Sequence, residues 1–362
     1  MHVLITGGNG AIGSNLARGF LKDGHEVTVM DNLVRPGVEF NEAALKEMGA
    51  VCIRADARCP EDYSKLPTQQ FDLIIECSAQ PSATQGLQNP FFDFTNNTLA
   101  VMHVLEMARK HMAPIIFFST NKIFAEICNS PLIEERKTRF VWKGHQRFPG
   151  FDSHCGFNED LPTDGKEHSI YGASKIAAQH FIREYASAFG VPTITNAFSC
   201  MCSRYQYGTA HQGFLAWFVI ANMLGKKIPY IGWGAEGKQC RDVLYADDVY
   251  ELIKKQAVAL IERPRSVSGN VYTIGGGMPF MRSLQELVSS IEDVTGFKTK
   301  IVKDTKTRHG DHIIYCSDTF KAQQDFRWKP KVSPEDAIVH IYEWVRQDYN
   351  ILKILYGGSN VK

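Results

Sequence analysis

Short runs of β-branched and other apolar residues alternate with amphipathic helical segments along the N-terminal part of this 362-residue chain. The sequence predicts helices at residues 11–23, 41–48, 94–111 and 171–189. Parallel strands joined by helices carry those helices on both faces of the sheet. The alternation therefore predicts an α/β fold with a doubly wound parallel sheet. Its strands are expected at residues 2–6, 26–30, 51–54, 73–76, 115–119 and 193–197.

The pattern changes near residue 195, after which short helices, strands and glycines mix. We therefore expect a Rossmann domain at residues 1–195 and a smaller, mixed α/β substrate domain at residues 196–362. Within the first domain, residues 125–169 are rich in Pro, Gly, His and charge and show no periodicity. Long segments of this kind are usually lids or binding loops. We expect this insertion to shield a reaction site from water.

Composition excludes several classes of partner. The net charge of +1 leaves no cationic surplus for nucleic acid. The longest mostly apolar stretch, residues 214–224, is too short to span a bilayer. The chain starts without the pattern of a secretory signal, and its nine cysteines form no CxxC pair. We expect a cytoplasmic protein with free thiols, no nucleic-acid or membrane partner and no metal; His309 and His312 beside Asp311 are interpreted as a turn.

A glycine-rich turn at residues 6–13 follows the first predicted strand and opens the first predicted helix. It satisfies the pattern G-x-G-x-x-G. Because glycine has no side chain, backbone N–H groups and the positive end of the helix can approach a pyrophosphate there. The pattern predicts a dinucleotide site, and the alternative is a turn that serves only tight strand-to-helix packing. The expected cofactor contacts in this turn are Gly7, Gly10, Ala11, Ile12 and Gly13.

Two acidic residues follow the second and third predicted strands. Asp31 is placed to accept hydrogen bonds from the adenosine ribose and to repel a 2′-phosphate, which favours NAD over NADP. Arg35 lies close by and is able to accommodate that phosphate, so the preference stays open. Asp56 is placed to hold the adenine edge or, alternatively, to cap a turn.

Tyr171 and Lys175 are at i and i+4 of a predicted helix and therefore lie on one face. Lowering the pKa of tyrosine from about 10 to near neutrality needs about 4 kcal/mol of differential stabilisation. A lysine cation and an oxidised nicotinamide can supply it, which leaves a base for a hydroxyl proton. Thr120 ends a buried predicted strand, where its hydroxyl can share the hydrogen bond of the reacting oxygen. On its own, each of these residues has an ordinary structural explanation.

Together, the motifs resemble the extended short-chain dehydrogenase/reductase family of sugar-nucleotide epimerases and dehydratases over nearly the whole chain. The turn at residues 6–13 matches the TGGxGxxG of that family. The other matches are its ribose-binding DNL at Asp31, Asn32 and Leu33, its adenine contact at Asp56, and its catalytic triad at Thr120, Tyr171 and Lys175. The resemblance also implies cofactor contacts at Ala57, Ala79 and Gln80, and substrate contacts at Ser82 and Asn121.

Four segments, at residues 119–124, 137–140, 211–218 and 237–244, resemble the CDP-tyvelose (CDP-paratose) 2-epimerases within that family. The resemblance implies an isomerase that oxidises carbon 2 of a CDP-deoxyhexose with tightly held NAD and returns the hydride to the other face. Some positions depart from the pattern: Ile123, Phe124 and Ala125 replace Val-Tyr-Gly, and Cys200 and Cys202 lie where Ser-Met-Tyr-Gly is usual. These departures fall where sugar identity is read.

A nucleoside diphosphate carries negative charges that cations must meet. Arg241 and Arg308 are the best candidates for bidentate contacts to phosphate, with ordinary Arg–Asp pairing as the alternative. Arg204 and Lys122 are further candidates.

Three functional alternatives remain. A 4-epimerase keeps the same chemistry at another carbon. A 4,6-dehydratase is disfavoured, because Asn121 and Lys122 replace the Asp-Glu pair usual after the catalytic threonine of those enzymes. A catalytically silent NAD-binding scaffold or sensor is disfavoured by the complete triad. The resemblance also implies a homodimer or homotetramer through the helices at residues 94–111 and 171–189.

Overall fold

The computed structural model describes residues 1–67, 70–164 and 167–357. Its largest sheet has seven strands, and every pairing in it is parallel. From one edge to the other, the strands are β15 (Asn270–Ile274), β11 (Thr193–Phe198), β5 (Ile115–Thr120), β4 (Leu73–Glu76), β1 (His2–Thr6), β2 (Glu26–Asp31) and β3 (Val51–Arg54).

Helices cover both faces of this sheet. On one face, Leu16, Phe20 and Val249 belong to a buried cluster with the sheet residues, and on the other Val104 and Ile182 do the same. The first face carries α1 (Ala11–Lys22), α2 (Val38–Glu47), α8 (Ala246–Glu262), α9 (Pro264–Val267) and α11 (Phe320–Phe326). The second face carries α5 (Ala100–His111) and α6 (Ile170–Phe189), preceded by α3 (Ala83–Gln88), α4 (Pro90–Phe94) and a π-helical turn at Thr95–Leu99. The doubly wound arrangement predicted from the sequence is confirmed.

The domain change expected near residue 195 lies inside a strand of the large sheet. β11 runs through it to Phe198, and the chain later returns to the large sheet as β15. α8 also packs on α1 of the first domain. Periodicity could not show this return, because strand pairing between distant segments depends on contacts that are far apart in sequence.

The remaining elements form a smaller domain with mixed strand directions. Its buried cluster includes Trp344, Ile341, Ile220 and Leu287. Its helices are α7 (Phe214–Met223), α10 (Leu284–Thr295), α12 (Pro334–Gln347) and α13 (Tyr349–Gly357). Its strands are β12 (Cys200–Cys202), β13 (Lys227–Ile231), β14 (Cys240–Tyr245), β16 (Met281–Ser283), β17 (Lys300–Asp304) and β18 (Ile314–Tyr315). Among the described residues, no helix has both the length and the apolar character that a bilayer crossing needs.

The insertion at residues 125–169 is folded rather than structureless. It contains the hairpin β6 (Ile133–Glu135) and β7 (Phe140–Trp142), and an antiparallel sheet of β8 (Arg147–Phe148), β9 (Phe151–Asp152) and β10 (Gly156–Phe157). The rings of Trp142, Phe151 and Phe157 pack edge-to-face or tilted, with centroids 4.6–5.8 Å apart. They are buried against Ile314 and Tyr315 of the smaller domain. Apolar packing across the chain therefore orders this segment.

Candidate active site

The turn between β1 and α1 brings three backbone segments into close contact. Gly7 has a φ of +62°, and its N–H donates to the carbonyl oxygen of Met30 at 2.8 Å. A Cβ atom on Gly7 would lie 2.8 Å from Cα of Ser78, and one on Gly13 would lie 2.6 Å from the carbonyl oxygen of Gly7. Backbone atoms cannot rotate away, so packing alone requires glycine at these two positions.

Gly10 has a different role in the same turn. A Cβ atom there would meet only the carbonyl oxygen of Gly7, at 3.0 Å. Gly10 is also the N-cap of α1, and no side chain caps this helix. The N–H groups of the first turn are therefore open to an anion, with the positive end of the helix behind them. This arrangement fits the pyrophosphate of a dinucleotide.

Two connected cavities lie at the carboxyl ends of the sheet strands. The Asp31 cavity has an empty volume of about 650 Å³ and the Tyr171 cavity about 1320 Å³, and both are lined by Gly7, Gly10, Arg35 and Ala79. They form one cleft at the edge where open α/β sheets bind ligands. The Asp31 cavity is also lined by Asp31, Asn32, Asp56 and Ala57. The Tyr171 cavity is also lined by Ala11, Ile12, Gly13, Thr120, Asn121, Lys122, Tyr171, Lys175 and Arg308.

The Asp31 carboxylate is held in place by backbone donors. It accepts the N–H of Asn9 at 3.0 Å and that of Leu33 at 2.9 Å, while burial raises its pKa. Asp56 forms a bidentate pair with Arg58 at 2.6 and 2.9 Å, and this hydrogen bonding lowers the pKa of Asp56 to about 2. Both carboxylates line the cavity as ribose and adenine contacts require. Arg58, which sequence reasoning missed, fixes the second of them.

The proposed catalytic side chains come together from β5 and the first turns of α6. Ser169 caps this helix by accepting the N–H of Gly172 at 3.0 Å, which fixes where Tyr171 begins the helix face. Tyr171 and Thr120 line the same cavity, where the Thr120 hydroxyl lowers the pKa of the Tyr171 phenol. One turn further on, the Nζ atom of Lys175 donates to the carbonyl oxygen of Phe118 at 3.0 Å. Tyr171 and Lys175, on one face of α6, therefore lie beside Thr120, at the end of β5, in the buried wall of the cleft.

Burial shifts the pKa of both candidate catalytic groups in the direction that disfavours their charged forms. It raises the pKa of Tyr171 to about 12, against the opposing effects of the Thr120 hydroxyl and the Arg35 charge. It lowers the pKa of Lys175 to about 8, against the opposing effect of Glu76. An additional positive charge beside Tyr171 is needed to stabilise its phenolate. An oxidised nicotinamide has that charge.

Glu76 is a buried acid that sequence reasoning missed. It ends β4, is fully buried, and its two carboxylate oxygens accept hydrogen bonds from the hydroxyls of Thr6 and Ser78. Its negative charge raises the pKa of Lys175. The sequence signal was available, because an acid that ends an otherwise apolar strand is unusual.

Three of the predicted substrate contacts line the Tyr171 cavity. The guanidinium of Arg308 donates to the carbonyl oxygen of Ala210 at 3.1 Å. The Nζ atom of Lys122 donates to the carbonyl oxygen of Gly310 at 2.9 Å and pairs with Asp311 at 3.2 Å. Asn121 is the third. Arg308 and Lys122 therefore contribute two cations to the lining of this cavity.

Arg241 is not among the cavity residues. Its guanidinium is buried, pairs with Asp311 at 2.8 Å and donates to the carbonyl oxygens of Cys240 and His312. Although burial opposes it, the charges of Lys122 and Arg241 lower the pKa of Asp311. The structure shows the Arg–Asp pairing that was the alternative for Arg241, with guanidinium donors used by Asp311 and the carbonyls, and its phosphate contact stays a prediction.

Three further predicted contacts lie behind the cleft wall rather than on it. Gln80 donates to Asp93 at 2.7 Å and to the carbonyl oxygen of Ser82 at 2.8 Å, and Ser82 caps α3. Arg204 lines neither cavity, and its backbone carbonyl oxygen accepts from Asn15 at 3.0 Å. Local hydrogen bonding directs the side chains of Gln80 and Ser82 away from the cavity. Sequence position alone could not distinguish the two orientations.

The insertion at residues 125–169 contributes none of its described residues to the lining of the cleft. The shielding role expected for it is therefore not supported by its position. A different segment, residues 206–214, reaches the cavity through Gln206, Ala210, His211, Gln212 and Phe214. This segment therefore lies nearer to the candidate catalytic side chains than the insertion does.

The fold and the site together define a nucleotide-dependent oxidoreductive enzyme of the α/β class. The sheet is doubly wound, its glycine-rich turn fits a pyrophosphate, and a buried Tyr–Lys pair lies at the same edge. Residues 3–275 match the family model described as the NAD dependent epimerase/dehydratase family. The chain belongs to this family, and NAD is its cofactor. The predicted fold class, enzyme class and cofactor are thereby confirmed.

Relatives cover almost the whole chain. The CDP-paratose 2-epimerase of Salmonella typhi is 32% identical over 353 residues, which are 95% of this chain and 99% of that protein. A putative UDP-glucose 4-epimerase of Methanocaldococcus jannaschii is 24% identical, over 96% of this chain and 99% of that protein. The UDP-glucuronic acid 4-epimerase of Bacillus cereus, solved with UDP-glucuronic acid and NAD, shares the fold with a TM-score of 0.75, 21% identity and coverages of 96% and 99%.

Proposed function

We propose that this protein is a nucleotide-sugar epimerase that oxidises one sugar carbon to a ketone and reduces it again from the opposite face. The observation that carries this proposal is that Tyr171, Thr120 and Lys175 lie together in the lining of one cleft, with Lys175 one helical turn from Tyr171. Bound NAD supplies the hydride acceptor and donor. The residues of the chain supply the proton transfer and the positioning.

Tyr171 acts as the base that takes the proton from the reacting hydroxyl and later returns it. Thr120 donates or accepts the hydrogen bond that holds this oxygen near the phenolate. Lys175 lies below them, where its charge favours the ionised phenol and its ammonium can hold a ribose hydroxyl. Asp31 and the open first turn of α1 hold the adenosine half of the cofactor, and the carboxylate of Asp31 disfavours the 2′-phosphate of NADP.

The substrate side of the cleft supports a nucleoside diphosphate. Arg308 and Lys122 place cations on this wall, and Arg308 carries the planar donor set that suits phosphate oxygens. CDP is the favoured nucleotide, and carbon 2 of a deoxyhexose the favoured position, because the Salmonella typhi relative is named for that activity. The residues themselves do not distinguish CDP from other nucleotides.

The 4,6-dehydratase is the weaker alternative. Elimination of water needs an acid and a base beside the catalytic threonine, and here Asn121 and Lys122 follow Thr120. Lys122 is bound to Asp311 and the carbonyl of Gly310, so it is not free to move a proton. A 4-epimerase uses the same side chains, and the name of the Methanocaldococcus jannaschii relative supports it.

Incubation with CDP-, UDP-, GDP- and dTDP-sugars, followed by NMR of the products, tests the proposal. An epimer at carbon 2 without accumulated NADH supports it. Epimerisation at carbon 4 or loss of water assigns the protein to one of the two alternatives. Tight NAD binding without turnover of any sugar assigns it to the silent class.

The pH dependence of kcat/KM should respond to the charge of Glu76. The ammonium of Lys175 is present below its pKa of about 8 and is lost as the pH rises through that value. Because Glu76 raises this pKa, Glu76→Gln should move the falling alkaline limb to lower pH. Glu106→Gln, which removes a surface carboxylate bound to Tyr185, serves as the control. An unchanged alkaline limb in Glu76→Gln would contradict the coupling.

The helices predicted to dimerise carry exposed phenylalanines. Phe94, Phe181 and Phe189 are each more than 40% exposed on α4 and α6. We propose that a second copy of the chain covers them in a homodimer or homotetramer. Phe181→Glu should then give a monomer by light scattering, whereas Phe320→Glu, a more exposed site on α11, should not change the mass. A monomeric wild-type protein would refute the proposal.

A further inference from the structure

Two histidines face each other across the small sheet of the insertion. β8 and β9 pair with Arg147 opposite Asp152, and the pairing continues because the N–H of Ser153 donates to the carbonyl oxygen of Gln146 at 3.0 Å. The next pair outward is His145 and His154. Their imidazole rings are stacked, with centroids 4.5 Å apart and planes inclined by 5°. The backbone register, rather than side-chain chance, sets this arrangement.

A carboxylate completes the group. The Nε2 atom of His145 lies 3.4 Å from Oδ1 of Asp152, and the same oxygen accepts the backbone N–H of His154 at 2.9 Å. One ligand atom from each of the three side chains lies within 4.8 Å of the other two. Ligands about 2.0–2.2 Å from a tetrahedral Zn²⁺ are themselves about 3.4 Å apart. Because each imidazole nitrogen offers its lone pair in the plane of the ring, the two rings must turn out of their stack to bring all three atoms onto one ion.

We propose that His145, Asp152 and His154 bind a divalent transition-metal ion of the Zn²⁺ class, with water in the remaining positions. Two neutral imidazoles and one carboxylate are the ligands that Zn²⁺ and its neighbours prefer over Ca²⁺ or Mg²⁺. One opposing charge is present, since the Nε atom of Arg147 lies 3.9 Å from Oδ2 of Asp152. Arg147 is 78% exposed in its side chain and can turn to solvent when the ion binds.

The location gives the ion a structural role. The three ligands join the two ends of the β8–β9 hairpin, and the aromatic rings of Phe148 and Phe151 pack at its other end. Metal binding would therefore hold the two strands together at the end of the hairpin that lacks the Phe148–Phe151 packing. None of the three ligands lines the catalytic cleft. The proposed ion would stabilise the insertion without entering the reaction.

Calorimetric titration of the NAD-loaded protein with Zn²⁺, after treatment with a chelator and its removal, tests this site. We expect one ion per chain, and a thermal transition that rises with Zn²⁺ and falls with chelator. Loss of an outer partner commonly weakens metal binding about 10–100-fold, so His154→Ala and His145→Ala should each weaken it at least about tenfold. His180→Ala removes an exposed histidine on α6 and should leave the affinity unchanged.

A second variant and an absorption spectrum distinguish loss of the metal site from misfolding of the variant. Asp152→Asn preserves size and hydrogen-bonding capacity, and it should also weaken Zn²⁺ binding while NAD binding stays intact. Co²⁺ in place of Zn²⁺ should give a visible absorption band in the wild-type protein that His154→Ala lacks. Equal Zn²⁺ affinity in the wild-type protein and in both histidine variants, or no saturable binding in the wild type, would overturn the proposal.

Discussion

Replacement of Tyr171 by phenylalanine should lower turnover of the nucleotide sugar by about 10²–10⁴-fold, the range that a positioned acid–base group contributes. The substitution removes one oxygen from a buried ring that is 8% exposed and leaves its packing in place. NAD should remain bound, because the cradle and Asp31 are not touched. NMR of product formation and the NAD content of the purified protein measure the two effects separately.

Tyr185→Phe is the matched control for this experiment. Tyr185 lies on the same helix, but its hydroxyl contacts Glu106 at the surface and not the cleft. We expect its turnover to match that of the wild-type protein. Turnover that survives Tyr171→Phe unchanged would mean that another group is the base, and the proposed mechanism would fail.

Gly13→Ala should give the second large effect, a loss of both stability and NAD binding. The added Cβ atom would lie 2.6 Å from the carbonyl oxygen of Gly7 and 2.7 Å from Cα of Gly8. Relief of these contacts requires α1 to move away from the end of β1. Overpacking of this kind typically costs about 1–3 kcal/mol. The same movement displaces the N–H groups that would hold the pyrophosphate, so we expect NAD affinity to fall with the free energy of unfolding.

Thermal unfolding with and without added NAD, together with calorimetric titration, measures both quantities. Gly24→Ala provides the control, because Gly24 has a φ of +80° and a Cβ atom there would meet nothing within 4 Å. It should cost about 1–2 kcal/mol from the left-handed backbone alone and leave NAD affinity unchanged. If Gly13→Ala bound NAD as the wild-type protein does, the steric argument would be wrong.

The parts predicted well are those encoded over short stretches of chain. β1, its glycine turn and α1 follow from one apolar run, closely spaced glycines and a helical period. Tyr171 and Lys175 share a helix face because of their i, i+4 spacing. Asp31 and Thr120 end buried strands, and the carboxyl ends of parallel strands meet at one edge. These residues could be grouped into one site before any coordinates, since a doubly wound sheet leaves few other arrangements.

The parts that were missed depend on which distant segments meet. The pairing of Arg241 with Asp311 could not be predicted, because Asp311 lies far along the chain and only folding brings the two together. Trp142 and Phe157 order the insertion only because Tyr315 packs against them. His145 lies before β8 and His154 after β9, and the pairing of these two strands makes them neighbours.

The amino-acid sequence by itself determined the class of fold, the glycine-rich turn and the candidate catalytic side chains, because local periodicity and backbone sterics specify them. The tertiary structure alone decided which cations line the cleft, which segment of the smaller domain reaches it and where the chain returns to the large sheet. The physical reason is that a charged or polar side chain takes the partner that lies nearest in space. That partner is set by packing between segments that the order of residues does not reveal.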